Sequence, residues 1–391
     1  MPAAGSAPSR LRDALPGALV ALVSMAFTIL AIEGGLRAAG YRPYRERHAA
    51  RLTDPVAGLL LDCYPSNPRG YFDIDLRAPE ARAQYGRLAA ARRFEAVVRR
   101  TPHAVLCRYN AMGFRDRPLG LPVPDVRRVL LIGDSFTEGQ GVKEGDSYAR
   151  VLERALHADG EGRWEVRNCG TRGADFPRLR DTFSEVLPYG ADVVVYAMVL
   201  NDPFQSAGFV AQQGYLNDWM LLQGRRSGSE ADLTGSPSRL WDYARERIEN
   251  RRVSRESLRF YRDLYAAPNA DGWRRTRDAI RTMDAAARAR DARFVVVLWP
   301  WLVSLDRGYP FEAAHETIRR FCAEAGIPFL DLRATLAARP AESLWVHSVD
   351  WHPNEIAHRL AGLAIAPMVR EVQVPLQRPG RRVPILSGGV S

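Results

Sequence analysis

Lysine is almost absent from this chain of 391 residues. Lys143 is the only one, although lysine and arginine together number 55 and the net charge is +10. The arginines are interleaved with acidic residues and form no basic motif of a nucleic-acid module, so we expect no nucleic-acid partner. The charge is compatible with a mild preference for anionic surfaces such as lipid headgroups.

Cysteine is also scarce, with four residues and no CxxC pair, which argues against a zinc knuckle. Cys63 and Cys107 lie before the first predicted strand and are either a disulfide or two buried thiols. Cys322 lies on the apolar face of a predicted helix and is assigned to the core.

Two nucleotide-binding motifs are missing as well. The glycine-rich stretch LIGDSFTEGQG, residues 131–141, contains no Gly-Lys-Ser/Thr and lacks the Rossmann glycine spacing. The sequence therefore gives no support for a P-loop or a dinucleotide site.

One long apolar run is present near the N-terminus, from Leu15 to Ile32, preceded by Arg10 and Arg12. It is near the lower limit of a bilayer span, and we interpret residues 1–40 as a tail and an uncleaved transmembrane signal anchor. A cleaved signal peptide and a buried core helix are the alternatives. We expect the rest of the chain on the extracytoplasmic, periplasmic side, because a long C-terminal domain translocates largely regardless of flanking charge.

Beyond an irregular leader over residues 41–124, strand-like and helical runs alternate through residues 125–372, and a tail follows over 373–391. This alternation predicts a flavodoxin-like three-layer α/β/α sandwich with a five-stranded parallel sheet. The predicted strands are Val126–Ile132, Trp164–Asn168, Asp192–Leu200, Arg293–Trp299 and Pro328–Leu332. The predicted helices are Ser147–His157, Phe176–Leu187, Gly272–Arg288, Phe311–Ala325 and Asn354–Val369.

Residues 202–270 interrupt this rhythm with an insertion rich in aromatic residues and arginines. Apolar residues recur at helical spacing over Leu240–Tyr265. We interpret the insertion as a cap over the strand ends. A membrane-surface helix and a helix packed on the sheet are the alternatives.

Ser135 follows the first predicted strand directly, which places it at the carboxyl edge of the sheet, where ligands bind in such folds. A serine hydroxyl becomes a useful nucleophile only with a base in hydrogen-bond reach. His352 follows the fifth strand in SVDWHPNEIAHRL and can supply that base, on a predicted loop that also carries Asp350 as its orienter. An ordinary loop serine, or a metal site built from His347, Asp350 and His352, is the alternative.

Acyl transfer also needs hydrogen-bond donors for an oxyanion. The loop NCGTRGAD contains Gly170 and Gly173, and the loop LNDP contains Asn201 at the end of a buried strand. The Asn201 amide and the backbone N–H groups of Ser135 and Gly173 are the candidate donors.

The ordered blocks Gly-Asp-Ser, Gly, Asn-Asp and Asp-x-His-Pro-Asn, spread over residues 133–354, resemble the SGNH (GDSL-type) hydrolase family. The resemblance implies a catalytic triad of Ser135 as nucleophile, His352 as base and Asp350 as acid. It also implies Ser135, Gly173 and Asn201 as oxyanion donors, and no metal or cofactor. NAMGFRD at residues 110–116 and VDWHPN at residues 349–354 are similar to a membrane-anchored bacterial subgroup.

Two positions depart from the family pattern. Leu200 stands where members often carry glycine before Asn-Asp, and the acid precedes the histidine by two positions rather than three. The first departure would narrow the pocket beside Asn201, and the second makes Asp350 the least secure member of the predicted site.

The resemblance implies a serine esterase that cleaves O-acyl ester bonds, on a carbohydrate or lipid substrate, through an acyl-enzyme. A polysaccharide O-acetyltransferase would use the same residues, so the sequence does not separate the two. A non-catalytic carbohydrate-binding or assembly protein that kept the fold is the alternative from another class. The oligomeric state stays open.

Overall fold

The computed structural model describes residues 9–42, 73–74, 105–106, 109–158, 160, 162–213, 236–306, 308–347 and 350–372. Cys63 and Cys107 therefore lie outside the described residues. Contacts divide the described chain into two compact units. The smaller unit contains residues 9–42 and 236–256, and the larger unit contains the others.

Helix α1, Ser9–Ala38, is the dominant element of the smaller unit. Its stretch Leu19–Ala38, 20 residues with a mean hydropathy of 2.0, has the length and apolar composition that crossing a bilayer requires. A signal sequence meets the same criteria. None of this stretch is buried, so the alternative of a buried core helix is wrong.

Five parallel strands form the sheet of the larger unit. They are β1 (Val126–Gly133), β2 (Arg163–Asn168), β3 (Val193–Met198), β4 (Arg293–Leu298) and β5 (Phe329–Asp331). The strand order is β2-β1-β3-β4-β5. This is the flavodoxin-like order, so the predicted fold class is confirmed. All residues of β3 are buried, as its uninterrupted apolar sequence predicts.

Helices lie on both faces of this sheet. After α1, the helices of the described chain are α2 (Ser135–Glu138), α3 (Tyr148–His157), α4 (Phe176–Val186), α5 (Ala207–Gln212), α6 (Arg239–Asp263), α7 (Ala270–Arg288), α8 (Glu312–Ala325), α9 (Arg333–Leu336) and α10 (Glu355–Val372), and most of α6 belongs to the smaller unit. On one face α3 packs against α10, where the Tyr148 ring stacks on His358. On the other face α7 packs against α8, where Trp273 meets Phe321 edge to face. Buried Cys169 and Cys322 are free thiols.

A buried arginine ties β1 to its surroundings. Arg128 pairs with Glu165 on β2 and donates to the carbonyl oxygens of Gly120, Leu121 and Tyr189 at 2.7–3.0 Å. Burial lowers the pKa of Arg128, and Glu165 opposes that shift. A charge with a full set of partners is tolerated at this depth, whereas an unpaired one is not.

The chain between β5 and α10 forms a short antiparallel hairpin of β6 (Trp345–His347) and β7 (Asp350–Pro353). The expectation that His352 and Asp350 lie on a loop is therefore wrong, because both belong to β7. Strands of three and four residues are too short to show a two-residue periodicity in the sequence.

The side chain of buried Asn269 forms hydrogen bonds to the beginning and to the end of the insertion. Its side-chain Nδ2 donates to the carbonyl oxygens of Phe204 and Leu264 at 2.8 and 3.0 Å, and its Oδ1 accepts the Ser206 N–H at 2.9 Å. The last turn of α6 then packs Tyr261 edge to face on Trp301, which follows the carboxyl end of β4. This contact agrees with the interpretation of the insertion as a cap.

Candidate active site

Ser135 begins α2, a single turn directly after β1 that packs closely on two glycines. A Cβ on Gly133 would lie 2.0 Å from Thr137 Oγ1 and 2.8 Å from the Ala197 carbonyl oxygen. A Cβ on Gly170 would lie 2.2 Å from the Glu138 backbone nitrogen. Real Cβ atoms do not approach backbone so closely, so glycine at both positions is a requirement of this turn.

Asp134 caps this turn, and its Oδ1 accepts the Phe136 N–H at 2.9 Å. Burial raises the pKa of the Asp134 carboxyl to about 6, while the Phe136 N–H and the charge on His352 act in the opposite direction. The charge on His352 therefore favours the ionised form of Asp134.

The chain after α2 is held from two sides. Arg115 is buried and donates to the carbonyl oxygens of Gly139 and Val142 at 2.5 and 2.7 Å. Gly141, with φ of +82°, packs so tightly on Val346 of β6 that a Cβ would meet that side chain at 2.6 Å. The nucleophile turn and the β6–β7 hairpin are thus in direct contact.

His352 projects from β7 toward this turn. Its Nε2 lies 2.9 Å from Ser135 Oγ, within hydrogen-bond distance, and its ring meets Phe136 edge to face at 5.5 Å between centroids. Asn354 fixes the hairpin to the last helix. Its Nδ2 donates to the Trp345 carbonyl oxygen at 3.0 Å, and its Oδ1 accepts the Ile356 N–H at the start of α10 at 3.0 Å.

Asp350 and His347, which lie near His352 on the hairpin, have predicted roles that depend on their side chains. Asp350 and His347 face each other across the hairpin, but their side chains lie outside the described part of the chain. The role of Asp350 as the orienting acid stays a prediction. Within the described residues, no cluster of three His, Cys, Asp or Glu side chains is placed to hold a metal ion.

The three predicted oxyanion donors all follow carboxyl ends of neighbouring strands. Gly173 has a φ of +69°, and a Cβ there would meet nothing within 4 Å. Within the described residues, the backbone N–H groups of Ser135 and Gly173 donate to no other group. The Oδ1 atom of Asn201 is buried and has no hydrogen-bond partner there. Unpaired polar groups at one edge of a sheet suit a site that receives a ligand.

Asp202 holds the turn that carries Asn201. Its buried Oδ2 accepts the Tyr196 hydroxyl at 2.6 Å and the Val199 N–H at 3.1 Å. Burial raises the pKa of Asp202 well above its usual value, and the neighbouring Asp134 raises it further. Through these hydrogen bonds Asp202 holds the neighbouring Asn201 in place at the end of β3.

Residues 131–360 match the model of the GDSL-like lipase/acylhydrolase family. The chain belongs to this family. The match covers more than half of the chain, from the middle of β1 into α10, and so includes the contact between Ser135 and His352. The predicted family is confirmed, and the protein is a hydrolase that acts on ester bonds.

Solved structures of this acylhydrolase family resemble the chain at low identity. A lipolytic protein of the G-D-S-L family from Desulfitobacterium hafniense is 16% identical, with 61% of this chain and 98% of that chain covered and a TM-score of 0.37. A lipase/acylhydrolase from Enterococcus faecalis is 15% identical, with 64% and 100% covered and a TM-score of 0.39.

An acetylxylan esterase from Geobacillus stearothermophilus, in a catalytic mutant, is 14% identical, with 66% and 98% covered and a TM-score of 0.39. A search of curated proteins finds no match. The assignment of the chain as an acylhydrolase therefore rests on the family match.

Sequence reasoning missed several residues that position the acylhydrolase site. Arg115 lies within the NAMGFRD stretch, whose role the sequence did not reveal. Glu138 is fully buried, accepts from Tyr109, and pairs with Arg172 at 2.9 Å. A buried acid five residues beyond the Gly-Asp-Ser glycine leaves no periodic signal, because its partners come from distant loops.

Gly170→Ala tests the close packing beneath Ser135. The new methyl group must displace the α2 backbone, and we expect kcat on an aryl ester to fall by about 10- to 100-fold, since small displacements of reacting groups are costly. The matched control is Gly145→Ala, where a Cβ meets nothing within 4 Å, and it should keep wild-type kcat. Wild-type turnover by Gly170→Ala would contradict this account of the turn.

Proposed function

We propose that this acylhydrolase cleaves O-acyl esters in two steps through an acyl-enzyme on Ser135. His352 is the general base and then the general acid, and Asp350 orients its imidazole. The backbone N–H groups of Ser135 and Gly173 and the side chain of Asn201 stabilise the oxyanion. The same proposal assigns the chemistry to residues 125–372 and membrane attachment to residues 1–40.

The observation that carries the proposal is the distance of 2.9 Å between His352 Nε2 and Ser135 Oγ. A general base must lie within hydrogen-bond reach of the proton that it takes. Ser135 follows β1 and His352 lies on β7, 217 residues further along the chain, so their meeting has no local cause in the sequence.

The proposed first step forms a bond between Ser135 Oγ and the carbonyl carbon while the hydroxyl proton moves to His352 Nε2. Collapse of the tetrahedral intermediate breaks the ester bond, and the alcohol leaves with that proton. In the second step His352 takes a proton from water, whose oxygen attacks the acyl carbon. The free acid then leaves and Ser135 regains its proton.

Electrostatics favours these steps at two points. The charge on His352 favours the ionised form of Asp134, so that opposite charges attract while the imidazole holds the Ser135 proton. The N–H groups of Ser135 and Gly173, which have no partner in the described part of the chain, offer fixed dipoles for the negative charge on the carbonyl oxygen. Neither contribution needs a group beyond the residues of this chain.

We assign an acylated carbohydrate or lipid as the substrate class. Trp351, next to His352, is 45% exposed and stacks on Trp345 at 5.4 Å between centroids. The indole N–H of Trp345 donates to the Leu302 carbonyl oxygen at 2.6 Å and fixes the pair. An exposed aromatic face on the hairpin that carries His352 suits a sugar ring or an acyl chain.

Replacing the nucleophile and the base tests the mechanism. Ser135→Ala and His352→Gln should each lower kcat on a short-chain aryl ester by about 10⁴-fold or more, and the double variant should lose little beyond either, because the two act as a unit. Release of free acid is the readout.

The matched control for these variants is Ser184→Ala, an exposed serine on α4, which should keep wild-type turnover. Unchanged turnover by purified Ser135→Ala would remove this serine from the reaction. Losses that multiply in the double variant would show that the two residues act separately.

Asn201→Ala tests the oxyanion site separately from the nucleophile. Loss of one donor that acts on the developing charge should lower kcat by about 10²- to 10³-fold with little change in KM. The exposed Gln205 in the same loop provides the control, and Gln205→Ala should keep kcat. A rise in KM at constant kcat would instead assign Asn201 to substrate binding.

A further inference from the structure

Glu33 is a carboxylate within the apolar stretch Leu19–Ala38 of α1, a position where an unpaired charge is costly. It is not unpaired. Its side-chain oxygens accept the backbone N–H groups of Arg239 and Leu240 at 3.0 and 2.8 Å and the Ser238 hydroxyl at 3.0 Å. Glu33 therefore caps the N-terminus of α6 from another helix, where a negative charge is stabilising.

Further contacts within the smaller unit extend this junction. The Arg37 guanidinium donates to the Pro237 carbonyl oxygen at 2.6 Å. The Tyr41 hydroxyl donates to Glu246 at 2.7 Å, and its ring meets Tyr243 edge to face at 5.5 Å. The first turns of α6 are thus attached to the last turns of α1 by hydrogen bonds and by ring packing.

This attachment fixes the depth of α6 relative to the span. Glu33 lies five residues before Ala38, the end of the apolar stretch, which is about 7 Å along a helix. Interfacial helices bury their apolar face by about 5–10 Å at the headgroup boundary. When α1 spans the bilayer, the start of α6 is held at that boundary.

The exposed face of α6 carries residues that suit a helix at the headgroup boundary. Trp241 is 62% exposed and Ile248 is 68% exposed, and their spacing of seven residues puts them on one side of the helix. Arg252 and Arg255 are exposed on the same side. The whole helix contains eight arginines and five acidic residues, so its charge is complementary to anionic lipid.

We propose that residues 239–255 of α6 form a membrane-surface helix that binds anionic lipid headgroups at the end of the α1 span. Trp241 and Ile248 enter the headgroup boundary, where tryptophan is enriched, and Arg252 and Arg255 contact lipid phosphates. This proposal involves none of the residues of the ester-cleaving site and does not depend on the proposed roles of Ser135 and His352.

The first test measures fluorescence quenching of the full chain in vesicles that contain brominated phospholipid. Wild type should be quenched, and Trp241→Phe should lose a measurable part of that quenching. Trp273→Phe, which removes a ring that is 6% exposed in the core, is the matched control and should keep the quenching. Equal quenching of wild type and Trp241→Phe would overturn the placement of α6.

The second test measures backbone hydrogen exchange of residues 239–256 in the full chain, in phosphatidylcholine vesicles with and without phosphatidylglycerol. Exchange should be slower with the anionic lipid. The pair Arg252→Gln and Arg255→Gln should lose this difference, whereas the pair Arg274→Gln and Arg281→Gln on the exposed face of α7 should keep it. Equal exchange in the two lipids would overturn the role of the arginines.

Two further measurements, of ester turnover and of membrane retention, serve as controls for these tests. All variants should retain wild-type turnover of a soluble aryl ester, which shows that the hydrolase unit is folded. Alkaline extraction should leave the wild-type chain in the membrane fraction. A mature chain cleaved after α1, or one released by alkali, would contradict the proposal.

Discussion

The contact between the Ser135 hydroxyl and the His352 imidazole joins parts of the chain that are 217 residues apart. Several other features of the site hold these two residues in position. Gly133 and Gly170 let the serine turn pack closely on the sheet, and Asn354 fixes the hairpin that carries the histidine. A small displacement of either Ser135 or His352 would separate the reacting atoms. The close packing beneath α2, which leaves no room for a Cβ at Gly133 or Gly170, prevents such a displacement of the serine.

Buried acids lie beneath these reacting groups. The pKa of Asp134 rises to about 6 and that of Asp202 rises well above its usual value, in both cases mainly because of burial. Each carboxyl nevertheless accepts a backbone N–H, so each fixes a turn that carries a proposed site residue. Burying a carboxyl group in a core is costly in free energy. The hydrogen bonds that these two carboxyl groups accept from the turns of the site offset that cost.

The sequence was sufficient for the sheet and for the meeting of Ser135 with His352, but not for the shorter elements. Central strands such as β3 are continuous apolar runs, and the alternation with helices predicts their parallel order. The β6–β7 hairpin was taken for a loop because its strands are too short for a pattern. Neither the support from Arg115 nor the cap formed by Glu33 could be foreseen, since both depend on partners distant in the chain.

The most direct measurement of the central claim is covalent labelling of the full chain with a fluorophosphonate, followed by peptide mass spectrometry. An activated serine should form one adduct, on the peptide that contains Ser135, and the His352→Gln variant should label far more slowly. Absence of an adduct on folded protein, or an adduct on another serine, would contradict the account. Equal labelling of wild type and His352→Gln would show that the imidazole does not activate the hydroxyl.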